Sequence, residues 1–86
     1  MQISSRFTIA VHMLAYISMY GEKEKVTSEI LSGSIQVNPV IIRRLLSRMK
    51  TAGLITVARG SGGALLAKKE GEITFLDICR AVDAVH

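Results

Sequence analysis

Several residue types that fix the class of many small proteins are scarce in this 86-residue chain. It has one cysteine, Cys79, which excludes an internal disulfide framework and a zinc site made of cysteines alone. It has one proline, no tryptophan, two phenylalanines and two tyrosines. The first residues lack a signal-peptide layout, and the longest apolar run near them is too short for a membrane span. We therefore expect a cytoplasmic protein in a reducing compartment, without a membrane segment.

Acidic residues are absent from the middle of the chain. Between Glu29 and Glu70 every charged residue is basic, and the set is Arg43, Arg44, Arg48, Lys50, Arg59, Lys68 and Lys69. Charged helix faces usually carry both signs. An unbroken basic stretch within a net charge of +4 is typical of a surface that binds a polyanion such as DNA. A solvated face without a partner is the alternative interpretation.

The residues from Asn38 to Gly53 predict a helix with both ends defined. Asn38 suits the N-cap, Pro39 suits the first helical position, and Gly53 can take the left-handed conformation that ends a helix. One apolar stripe is formed by Ile42, Leu45, Leu46 and Met49. The opposite side and its flanks carry Val40, Arg43, Arg44, Ser47, Arg48, Lys50 and Thr51. Such a helix, anchored by one face and basic on the other, fits the DNA major groove.

The first helix, predicted from about Ser5 to Tyr20, is apolar on two sides. One stripe is Phe7, Ala10, Val11, Leu14 and Ile17, and the other is Ile9, Met13, Tyr16 and Tyr20. Two apolar faces need two covering surfaces, and a chain this short can supply one of them. We therefore expect either a second subunit or a segment after residue 86 to cover the other face.

The remaining segments predict a second helix, a hairpin and a last helix. The second helix should start at Thr27 or Ser28 and end near Ile35, and the strands should span 54–58 and 64–67. The capping box of Thr74 and Asp77 should begin the last helix, whose apolar stripe is Phe75, Ile78, Cys79 and Val82. This order predicts a mainly α fold with a small β hairpin, a winged helix-turn-helix domain covering residues 1–86.

The expected contacts with double-stranded DNA fall into three groups. The first turns of the recognition helix, 39–53, should read bases through Val40, Arg43 and Arg44. The DNA backbone should be held by Ser5, Arg6, Ser28, Pro39, Ser47, Arg48, Lys50 and Lys68. The wing is Arg59, Gly60, Ser61, Gly62 and Gly63, where glycines allow close backbone approach and the arginine can reach the minor groove or a phosphate.

Each of these assignments has a plainer alternative. The five wing residues could form only a hairpin turn, and they lack the Lys-Ser/Thr ending of a nucleotide-binding P-loop. Ser5 and Arg6 could simply begin a helix. His12 is expected to pack in the core or an interface rather than to bind metal, and Cys79 to be an inert core residue rather than a redox group. No catalytic constellation is visible, so we expect no enzyme.

Four ordered motifs resemble the Rrf2 family of bacterial winged-helix transcription regulators. They are ISSRFTIAVH at 3–12, NPVIIRR at 38–44, GLI at 53–55 with RGSGGA at 59–64, and ITFLDI at 73–78. The resemblance implies a homodimeric DNA-binding regulator, with repression the expected sign of regulation. A winged-helix module that binds proteins rather than DNA is the alternative, and weak salt dependence of binding would distinguish it.

The resemblance also bears on cofactors. Family members that sense iron, redox state or nitric oxide carry three cysteines in a continuation after this region, where they ligate an iron–sulfur cluster. Cys79 matches none of the three, so the resemblance implies no cofactor in these 86 residues and a cluster only where a longer chain supplies the cysteines. The dimerisation and effector segment is likewise expected to be absent from residues 1–86.

Overall fold

The computed structural model describes residues 5–58 and 63–83. Within them the α-helices are α1 (Ser5–Tyr20), α2 (Ser28–Ile35), α3 (Pro39–Thr51) and α4 (Phe75–Asp83), with strands β1 (Ile55–Val57) and β2 (Ala64–Leu66) between α3 and α4. A short 3-10 turn, Glu70–Glu72, precedes α4. The predicted mainly helical fold with one antiparallel hairpin is confirmed. No described helix has the length and apolar character needed to cross a membrane.

The α2–α3 pair is a helix-turn-helix whose ends are set by local hydrogen bonds. The Thr27 hydroxyl accepts from the backbone N–H of Ile30 at 3.2 Å, and the Asn38 side chain accepts from the N–H of Val40 at 2.8 Å. Gln36 ends α2 in the left-handed conformation, with φ 62°. The predicted caps are therefore confirmed at both helix starts, and the tight turn depends on a strained non-glycine residue.

The hairpin is attached to the segment that leads into α2. Ile55 pairs with Leu66 and Val57 with Ala64 in the antiparallel register. The N–H of Ala64 also donates to the carbonyl of Val26 at 2.9 Å. This bond fixes the base of the hairpin beside the start of α2.

The core is a single cluster contributed by all the helices and by the hairpin. It contains Ala10, Met13, Leu14, Ile17, Val26, Leu31, Ile42, Leu45, Met49, Leu54, Ile55, Ala64, Ala81 and Val82. The predicted apolar stripe of α3 is confirmed, with Leu46 half-buried at its edge. The structure corrects the two predicted stripes of α1, because its buried face takes Met13 from one stripe and Leu14 from the other. Val11 and Tyr20 are exposed.

The start of α4 confirms the capping box and corrects the apolar stripe behind it. The N–H of Thr74 donates to the Asp77 carboxylate at 3.0 Å, and the N–H of Asp77 donates to the Thr74 hydroxyl at 3.0 Å. The first of these bonds holds the pKa of the Asp77 carboxyl below its ordinary value. Phe75 is 54% exposed rather than buried. Its ring instead lies 4.7 Å from that of Phe7, centroid to centroid.

Candidate nucleic-acid interface

Helix α3 presents its basic side to solvent because its apolar side is buried in the core. Ile42 and Met49 have no exposed surface, whereas Val40 is 48% exposed and Arg43 and Arg44 are both exposed. The three side chains predicted to read bases are therefore accessible and lie in the first two turns of the helix.

One flank of α3 forms a groove with α2 and the hairpin, which we call the wing-side groove. Its volume is about 470 Å³, and it is lined by Val26, Thr27, Ser28, Glu29, Arg43, Leu46, Ser47, Lys50, Val57 and Ala64. Arg43, Ser47 and Lys50 share this side because they follow one another at intervals of four and three residues. The structure thus brings Ser28 together with three predicted contacts of the recognition helix.

The other flank of α3 forms a groove with α1, which we call the α1-side groove. Its volume is about 320 Å³, and it is lined by Ser5, Arg6, Ile9, Ile41, Arg44, Leu45 and Arg48. Arg44 lies about 100° further around the helix than Arg43, since each residue turns an α-helix by that angle. Helix α3 is therefore a ridge with basic residues on both sides, and the predicted contacts Ser5 and Arg6 lie beside it.

Arg48 makes a contact within the fold that the sequence did not predict. Its Nη1 donates to the backbone carbonyl of Val82 at 2.8 Å in a partly buried position. Val82 lies near the end of α4 as the structure describes it, 34 residues after Arg48. This bond ties α3 to α4, while Arg48 also lines the α1-side groove, so its predicted phosphate contact stays a prediction.

Lys68 lies apart from the other predicted contacts. It follows β2 at the hairpin end where Ala67 donates to the carbonyl of Leu54 at 2.9 Å, away from the wing tip. Its ammonium lies 4.0 Å from the Asp77 carboxylate, and its side chain is 43% exposed. Neither groove includes it. Pro39 is exposed at the first position of α3, where it starts the helix as predicted.

Most of the predicted wing, Arg59, Gly60, Ser61 and Gly62, lies outside the described residues. Gly63 lies within them, and packing against another segment of the domain explains why this position has no side chain. A Cβ at this position would lie 2.4 Å from the backbone N of Val26. The glycine is therefore required for the hairpin to pack against the segment before α2, whatever it also does at a DNA surface.

Glu29 is the residue of this surface that sequence reasoning missed. In the sequence, Glu29 was noted only as the last acidic residue before the basic stretch. The fold places Glu29 in the wing-side groove with Arg43 and Lys50. The pKa of its carboxyl lies below the ordinary value. The causes, largest first, are donation from its own backbone N–H, from the Ser28 hydroxyl and from the Thr27 hydroxyl, and last the attraction to the Arg43 guanidinium. Its position in the first turn of α2, a helix that packs on α3, was the available signal.

The described residues offer no metal site. No group of three or more His, Cys, Asp or Glu side chains among residues 5–58 and 63–83 could hold an ion. Cys79 is half-buried on α4. His12 is exposed on α1, so the expectation that it packs in the core is wrong, whereas an interface position stays a prediction. These residues do not by themselves fit an iron site.

The fold and the basic ridge define the class of protein, a winged helix-turn-helix with an exposed basic recognition helix. The sequence model of Rrf2, described as an iron-dependent transcriptional regulator, matches residues 3–86. YwnA of Bacillus subtilis strain 168, which carries the name of an HTH-type transcriptional regulator, is 42% identical over 80 residues. That alignment covers 93% of this chain and 58% of YwnA. The chain belongs to the Rrf2 family.

Further relatives agree with this assignment. YwgB of the same organism, also named as an HTH-type regulator, is 31% identical over 96% of this chain and 54% of its own length. The structure of CymR, the global cysteine regulator of B. subtilis, superposes with a TM-score of 0.87 at 20% identity, covering 99% of this chain and 67% of CymR. CymR thus shares the fold. The chain spans little more than half the length of YwnA and YwgB.

Proposed function

We propose that this chain is the DNA-binding part of a transcriptional regulator that reads double-stranded DNA with α3. The observation that carries the proposal is the exposure of Arg43 and Arg44 on a helix whose opposite face is sealed in the core. The names of the relatives favour this function over a winged-helix module that binds proteins. Neither DNA binding nor protein binding includes a catalytic step.

The first turns of α3 supply base recognition in this proposal. Each exposed guanidinium can donate two hydrogen bonds to O6 and N7 of a guanine, and the exposed Val40 can contact a thymine methyl group. Because Arg43 and Arg44 point to different flanks of the helix, they would contact neighbouring base pairs rather than the same one.

The two grooves supply backbone contacts on either side of the recognition helix. Ser47 and Lys50 in the wing-side groove, and Ser5 and Arg6 in the α1-side groove, can each reach a phosphate that flanks the major groove. Such contacts fix the orientation of the helix and carry no sequence information themselves. The wing, through Arg59, would extend this contact to the adjacent minor groove.

A homodimer would place two copies of α3 in successive major grooves, about 34–36 Å apart on one face of a partly palindromic operator. The apolar residues that α1 leaves at the surface, Val11 and Met19 among them, support an interface of this kind. Repression, the sign of regulation implied by the family resemblance, stays a prediction.

The test is selection of bound duplexes from a random pool, followed by titration of the selected operator at several salt concentrations. We expect the logarithm of affinity to fall steeply with the logarithm of salt, by roughly 0.9 for each phosphate neutralised. Arg43→Ala or Arg44→Ala should cost about 1–3 kcal/mol of operator affinity and relax the choice at one base pair.

Lys23→Ala is the matched control, because Lys23 is an exposed cation in the loop after α1 and lines neither groove. It should leave sequence preference intact. If no duplex is enriched, or if binding hardly depends on salt, the DNA-binding proposal is wrong. An unchanged operator preference in Arg43→Ala would instead refute base reading by that residue.

A further inference from the structure

The wing-side groove contains a negative charge together with cations that we propose contact DNA. Among the described residues that line it, Glu29 is the one acid, and it shares the groove with Arg43 and Lys50. The Ser28 hydroxyl donates to the Glu29 carboxylate at 3.3 Å. The first turn of α2 favours a negative charge, so the Glu29 carboxylate in the groove is ionised at neutral pH.

This carboxylate does not affect all DNA contacts equally. A phosphate is an anion, so it is repelled by a carboxylate that lies close to the cation it approaches. A guanine base has no net charge, so the partial negative charges of its O6 and N7 are repelled much less. When Arg43 binds a phosphate, the nearby carboxylate therefore opposes the contact, whereas donation from Arg43 to guanine is opposed much less.

We propose that Glu29 increases the sequence specificity of DNA binding, an inference that rests on the proposed function. Its carboxylate weakens sequence-independent phosphate binding in the wing-side groove more than it weakens guanine recognition by Arg43. The ratio of operator affinity to affinity for unrelated DNA is the quantity that governs recognition among many competing sites. Glu29 raises this ratio because it lowers the affinity for unrelated DNA.

The experiment compares Glu29→Gln with wild-type protein on the selected operator and on a duplex of unrelated sequence. Loss of one repulsive charge should make the salt slope for unrelated DNA more negative by up to about 0.9, which corresponds to roughly a threefold to fourfold difference between 50 and 200 mM salt. We expect affinity for unrelated DNA to rise by roughly threefold at low salt and operator affinity to rise less, so that the ratio falls.

Two further variants isolate the position and the charge. Glu22→Gln removes the same charge from the exposed loop after α1, and it should shift both affinities equally and leave the ratio unchanged. Glu29→Asp keeps the charge in the groove and should keep the ratio close to that of the wild type. Circular dichroism of each variant checks that α2 is intact.

The inference is overturned if Glu29→Gln behaves like Glu22→Gln, or if it lowers affinity for unrelated DNA. In that case Glu29 serves only the first turn of α2, and its loss would be seen as a lower midpoint of thermal unfolding. These results are distinct from failure of the proposed function, in which wild-type protein itself binds neither duplex in a salt-dependent manner.

Discussion

Arg48 and Lys50 lie two residues apart on α3, and their surroundings differ, so we expect them to have different roles. The Arg48 guanidinium donates to the Val82 carbonyl at 2.8 Å, whereas Lys50 is exposed in the wing-side groove. Replacing each by alanine therefore separates fold stability from DNA affinity. Arg48→Ala should destabilise the protein and change the salt dependence of binding little. Lys50→Ala should do the reverse.

The magnitude for Arg48 follows from its bond and its position. A hydrogen bond that involves a charged group contributes about 1.5–3 kcal/mol to stability, and a cation at a helix C-terminus adds about 0.3–1 kcal/mol. Because Arg48 is only partly buried, water replaces some of this loss. We therefore expect Arg48→Ala to lower the free energy of unfolding by about 1–2 kcal/mol.

Urea unfolding followed by circular dichroism measures this change. With a slope near 1 kcal/mol/M, typical of a chain this small, the midpoint should fall by about 1–2 M. Lys50→Ala should leave the midpoint unchanged and make the salt slope of DNA binding less steep by roughly 0.9. If Arg48→Ala changes stability by less than about 0.5 kcal/mol and reduces the salt slope as Lys50→Ala does, Arg48 contacts DNA and does not stabilise the fold.

Two backbone positions give further predictions. Gly63→Ala should cost about 1–3 kcal/mol of unfolding free energy, because the added Cβ would lie 2.4 Å from the backbone N of Val26. Its control is Gly33→Ala in α2, where an added Cβ meets no atom within 4 Å and should stabilise the helix by about 0.5–1 kcal/mol. Equal effects of the two substitutions in denaturant titrations would contradict the packing argument. Gln36→Gly should raise the unfolding free energy by about 0.5–1 kcal/mol, since glycine adopts the observed φ of 62° without steric cost. A lower melting midpoint for that variant would show that the glutamine side chain stabilises the turn by more than its strained backbone costs.

Local signals in the sequence determined where the helices of this protein begin and end. The Asn38 cap and the capping box of Thr74 and Asp77 act between residues two or three positions apart, so the pattern of residue types is enough to predict them. The apolar stripe of α3 was equally predictable, because helical periodicity fixes which side chains share a face. The absence of acids from residues 30–69 is a property of the sequence itself.

Only the tertiary structure decided which groups the charged residues of α2 and α3 meet. Arg48 carries the same charge as Arg44, yet Val82 of α4, 34 residues further along the chain, supplies a carbonyl acceptor for its guanidinium. Glu29 is 14 residues before Arg43, and packing of α2 on α3 places it in the same groove. Partners of this kind are brought together by the packing of whole helices. Spacing along one helix specifies which residues share its face, but it does not specify what another element places against that face.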